Sequence, residues 1–230
     1  MTFPYAYRGL KRVHHAEIMS LASEILILGT TLISMIWPVS TDTIKNGDYS
    51  AISLLWLAMM AVGSMLMTVS MITELIGLGI AREDEKSFGH AYRYLFLPLI
   101  ITGLVTSVSP IVPELRLEKY AETVQELMHI LVMISIARGI NRLARKLSDE
   151  ETGIRAKKLL AVTSVSFAVS VALFAASIVL SGETYEHIST ALEAAALVLG
   201  AVAFLMMLLC VHHAVKMLEE TQLQSERDKA

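Results

Sequence analysis

Six apolar runs, each close to or longer than the roughly 20 residues of helix that cross a bilayer, dominate the chain. They cover about 16–37, 51–80, 91–112, 121–146, 156–180 and 187–217. None alternates polar and apolar residues over a useful length, so a transmembrane barrel is not expected. The whole composition agrees. Of 230 residues 54% are hydrophobic and the mean hydropathy is +0.58, where a soluble domain of this size would interpose polar segments. The expected fold is all-α, a polytopic membrane helical bundle of about six transmembrane helices.

Helix-breaking residues punctuate the runs. Pro38 closes the first, Asn46-Gly47-Asp48 turns into the second, Pro110 and Pro113 end the third, and Ser181-Gly182 ends the fifth. The basic segment Met1–His15 ahead of an apolar run imitates a signal peptide. No small-residue cleavage site follows Ile36-Trp37-Pro38, so the first run reads as an uncleaved helix.

Lys and Arg set the expected orientation. With the N-terminus inside, only Lys45, Arg116 and Lys119 of the 19 basic residues fall in outer loops. The inner clusters are Arg8, Lys11 and Arg12, then Arg82, Lys86 and Arg93, then Arg138 through Lys158, then Lys216, Arg227 and Lys229. The expectation is therefore a multi-pass protein of the cell (inner or plasma) membrane with both termini cytoplasmic. The even-numbered helices are expected to run past the membrane, through Lys86, Lys146 and Glu220, before a polar tail at 221–230.

A weak threefold repeat is visible inside a single transmembrane domain spanning 1–230. Ala16, Ala91 and Ala156 open odd helices, and Tyr49, Tyr120 and Tyr185 open even ones. The second and third hairpins share an offset of 65 residues (156 − 91 and 185 − 120). The hairpins would cover 10–86, 87–151 and 152–220.

Ionisable groups inside a span are costly and mark functional candidates. Helix 4 has an uncharged run only over Leu127–Ala137. Its Glu122, Glu126 and His129, at i, i+4 and i+7, share one face that is expected to turn into the bundle. Arg138 lies about 120° around the helix from Glu126 and is the expected partner, by depth, of Glu24 on helix 1. Glu193 on helix 6 completes the proton- or cation-coupling set: Glu24, Glu126, His129, Arg138 and Glu193. Glu17 reads as interfacial and Glu74 as snorkelling.

A metal is the weaker expectation. Glu126 and His129 have the Glu-x-x-His spacing of carboxylate-bridged helices, to which Glu122 and His187 could add ligands. His14-His15 and His212-His213 offer a second set of imidazoles at the cytoplasmic ends. Cys210 stands alone, which excludes a disulfide framework and a cysteine metal cluster. The sequence specifies no cofactor. It carries no nucleotide-binding glycine loop, no serine elbow and no paired HxxxH, and a net charge of −3 points to no nucleic acid.

The function expected first is a transporter or channel-like protein for a small solute, proton or cation. A membrane scaffold or regulatory subunit is the alternative, docking a protein partner or anionic headgroups through Arg142, Arg145 and Lys146. An intramembrane metal-dependent enzyme is the third. The expected partners are the bilayer, an ion or small-molecule substrate, and another copy of the chain or a second protein.

Overall fold

A computed structural model describes residues 2–37, 50–108, 117–179 and 183–228; within its helices the side chains of 102–103, 106–108, 117–123, 126, 173–179 and 183–197 fall outside the description. The described residues form six helices and no strand: α1 (Pro4–Ile36), α2 (Ala51–Ala81), α3 (Lys86–Val108), α4 (Leu117–Lys146), α5 (Glu150–Val179) and α6 (Glu183–Arg227). Four stretches are long and apolar enough to cross a membrane: Pro4–Ile36, Ala51–Ala81, Leu127–Lys146 and Val198–Arg227. The chain is thus a helical membrane protein by the length and composition of its helices.

The boundaries follow local chemistry. Pro4 occupies the first helical position of α1, where a missing N–H costs nothing. Ser50 caps α2, its Oγ accepting from the Ser53 N–H at 3.2 Å. Helix α4 ends with Ser148 in the left-handed region (φ 58°), and the Asp149 N–H reaches back to the Ala144 carbonyl at 2.9 Å. Asp149 then caps α5 by accepting from the Thr152 N–H at 2.9 Å.

Two boundaries differ from expectation. Helix α2 stops at Ala81 instead of continuing through Lys86. Asp84 is drawn out of the helix to accept from the Ala6 N–H at 2.7 Å, capping the start of α1. Helix α6 continues through Arg227, beyond the expected end near Glu220 and into the polar tail.

The chain divides into two compact units, Arg12–Ile76 and Met1–Lys11 with Gly77–Ala230. In the first, α1 and α2 run antiparallel along small residues. Ser70 Oγ donates to the Ala16 carbonyl at 2.7 Å and Ser23 Oγ donates to the Gly63 carbonyl at 2.8 Å. Each pairing is one heptad from the other on both helices, so a stripe of Ala, Ser and Gly keeps the seam narrow enough for a side chain to reach the facing backbone.

In the second unit the same seven-residue step brings Gly9 against Gly77, where a Cβ on Gly9 would lie 2.5 Å from the Gly77 carbonyl oxygen. Here α4 is the central helix, packed on α3, α5 and α6. Its fully buried residues Val132, Ile136, Ala137, Ile140, Leu143 and Ala144 form one stripe. Gly139 lets the buried Phe88 ring of α3 lie on the α4 backbone, 2.6 Å from where a Cβ would stand.

Gly9 should therefore tolerate no side chain. Gly9→Leu is expected to lower stability in detergent by about 1–3 kcal/mol, seen as a drop in the thermal unfolding midpoint. Gly200→Ala, with nothing within 4 Å of the added methyl, is expected to stay within about 0.5 kcal/mol of the parent.

Candidate functional site

The buried carboxyls of the Arg12–Ile76 unit are two acids with no ion pair among the described residues. Glu17 on α1 is 4% exposed and Glu74 on α2 is 8% exposed. The seam places them. The Ser70–Ala16 hydrogen bond ties the helices at the residue before Glu17, and Glu74 follows Ser70 by one turn on the same face.

Among the described residues no hydrogen bond or ion pair reaches either carboxyl, and Glu74 Oε1 is buried without a partner. Glu74, and after it Glu24, are the charged groups that act on Glu17. Two neighbouring carboxyls in low dielectric cannot both stay ionised without a proton or a cation between them. His14, three residues before Glu17 and so about one helical turn away on α1, makes an interaction of its own.

The expected coupling set distributes differently. Glu24 is exposed on α1 rather than buried. Arg138 is exposed on α4, half a turn from the buried stripe. His129 is in register with that stripe, three and four residues before Val132 and Met133, yet its own side chain is exposed. The side chains of Glu122, Glu126, His187 and Glu193 lie outside the described residues. Among the described residues no three His, Cys, Asp or Glu side chains come together as metal ligands. The two histidine pairs make internal ring contacts at 6.3 Å (His14–His15) and 5.8 Å (His212–His213).

Sequence reasoning passed over Glu17 and Glu74 because each was judged by depth alone. The signal that finds them is the small-residue heptad: Glu17 follows Ala16 and Glu74 follows Ser70 by four, so both flank the one seam that admits no lipid.

A third acid has the opposite surroundings. Glu85, 6% exposed, accepts from Arg142 and from Lys146, each at 3.0 Å, and from Ser87 Oγ at 3.2 Å. Lys146 also lies 5.5 Å over the Phe3 ring, and the Tyr7 hydroxyl donates to Glu219 at 3.2 Å. The start of α1, the α2–α3 turn, the end of α4 and the end of α6 thus gather at one basic end. Arg142 and Lys146, two of the three cations expected to dock a partner, each form an ion pair with Glu85.

No protein family matches the chain, and no characterised protein and no solved structure is detectably similar to it.

Burial alone would push the Glu85 carboxyl up, but the hydrogen bonds from Lys146 and Arg142 and the Lys146 charge outweigh it and hold it below the usual carboxylate range. Since the folded value is the lower one, the stabilisation is present above the ordinary range of about 4.3 and is lost as pH falls through the folded value. The Glu85 contribution to the melting temperature, read as the difference between the parent and Glu85→Gln, is expected to be flat above about pH 5 and to fall below about pH 4. Glu85→Gln should remove that acid limb and cost roughly 1–2 kcal/mol at neutral pH, because both cations are partly exposed.

Proposed function

We propose that this is a six-span membrane protein with both termini cytoplasmic, and that it moves or responds to protons or a small monovalent cation through the Glu17–Glu74 carboxyl pair. One observation carries the reading. Two acids are buried along one hairpin seam, with no ion pair to either among the described residues. Such a pair is expensive to keep unless a proton or cation occupies it. Sixteen of the 19 basic residues fall in the segments that the sequence assigns to the inner side, which supports this orientation. The stepwise packing of α3 on α4, α4 on α5 and α5 on α6 is consistent with tandem hairpins.

Transport gives the pair a physical role. A carboxyl dyad that holds one exchangeable ion releases it when the hairpin seam opens to water, and rebinds it when the seam closes.

A docking role is the second reading, favoured by the length of α6. Its 45 residues make a helix of about 68 Å, more than twice the roughly 30 Å of hydrocarbon, so a long segment stands clear of the bilayer.

The test is ion flux in proteoliposomes. Glu17→Gln and Glu74→Gln are each expected to cut proton or cation flux at least about tenfold while circular dichroism and elution volume stay unchanged. Flux at the parental rate in both variants would remove the pair from any coupling role.

A further inference from the structure

Within the unit containing Gly77–Ala230, an open groove of about 290 Å³ lies between the start of α5 and the middle of α6. Its floor is apolar: Ile154 from α5, with Met206, Leu209 and Cys210 from α6. Its rim is charged, with Arg155, Lys158 and Glu151. Arg155 and Lys158 sit within three turns of the Asp149 cap, at the basic end, whereas Met206 and Leu209 belong to the apolar Val198–Arg227 span.

The cations are incompletely used. Arg155 gives one guanidinium nitrogen to Glu151 at 2.7 Å, while its Nε is buried without a hydrogen-bond partner. A buried N–H without an acceptor costs free energy that a ligand oxygen would recover. Lys158 is exposed and makes no ion pair among the described residues. Glu151 is the one acid on the rim, and its surroundings also include the cations or titratable bases His213 and Lys216. The rim therefore keeps a net positive character. On the floor, Ile154 and Leu209 are about half exposed, a large apolar surface beside two cations.

We propose that this groove binds an anionic phospholipid, its phosphate held by Arg155 and Lys158 and one acyl chain laid along Ile154, Met206 and Leu209. Free phosphate would leave the apolar floor uncovered, and a zwitterionic lipid would leave the rim charge unmatched. The match of a cationic rim with an apolar floor at the end of a span is the form that selective lipid recognition takes. The proposal rests on the membrane reading and is independent of the carboxyl pair.

The experiment is lipid retention. The full chain is placed in nanodiscs of equal phosphatidylglycerol and phosphatidylcholine, released, and its bound lipid counted by native mass spectrometry. The parent is expected to keep phosphatidylglycerol over phosphatidylcholine by roughly tenfold. The double variant Arg155→Gln/Lys158→Gln is expected to lose that preference. Leu209→Trp, which leaves the charges intact and fills the floor, is expected to lose the bound lipid. Arg138→Gln, an exposed cation on α4, should change nothing. Equal retention of both lipids by the parent, an undiminished preference in the double variant, or displacement by inorganic phosphate alone would overturn the assignment. Failure of the parent to enter nanodiscs of either lipid would instead overturn the membrane reading.

Discussion

The close approach of α1 and α2 is the constraint on which the rest of the hairpin depends. Lipid tails are as apolar as leucine, so helices in a bilayer gain little from hiding hydrophobic surface from one another. They associate through packing and through hydrogen bonds that have no competitor in hydrocarbon. Heptad-spaced Ala16 and Ser23, facing Ser70 and Gly63, supply both at once, because small side chains bring the backbones near enough for each serine to reach a carbonyl opposite. The same narrowness that stabilises the seam excludes water from it. Glu17 and Glu74 beside it are buried, whereas Glu24, one heptad on from Glu17, is exposed.

Burial means different things at different acids in this chain. Glu85 is as hidden as Glu17, but two cations and a serine hydroxyl surround it, so its charge is a structural tie between the α2–α3 turn and the end of α4. Glu17 has another acid for a neighbour and no cation. A paired acid fixes geometry. An unpaired one with an acidic neighbour is a place where an ion exchanges, and such sites are expensive enough that they persist where they serve a purpose. The Arg155 groove adds a separate device at the membrane boundary, in which charge faces the headgroups and apolar surface faces the tails.

Much of the architecture was legible in the sequence. The apolar runs located all six helices, while the proline and glycine punctuation at Pro38, Asn46-Gly47-Asp48, Pro110, Pro113 and Ser181-Gly182 lies outside the described residues. The Lys and Arg clusters anticipated that the start of α1, the α2–α3 turn, the end of α4 and the end of α6 would meet. The polarity of helix 4 correctly marked it as central in its unit, since Val132, Ile136 and Ile140 pack inward against three neighbours. Helix ends were read less well. Asp84 and Glu85 looked like a solvated continuation of α2, and only their contacts with Ala6, Arg142 and Lys146 explain why the helix stops at Ala81. Glu24 and Arg138 were paired by depth, but depth says nothing of which way a side chain turns, and both are exposed. Glu17 and Glu74 were dismissed by the same criterion. Angular register against the small-residue seam is the information that depth lacks.

The central claim is that Glu17 and Glu74 together hold one exchangeable ion. Infrared difference spectroscopy of the protein in vesicles, comparing acidic with alkaline buffer, measures it most directly. The expected result is a carbonyl band of a protonated carboxyl in an apolar site that is absent from both Glu17→Gln and Glu74→Gln and unchanged in Glu24→Gln. A spectrum without that band, or a band that survives both substitutions, would contradict the account.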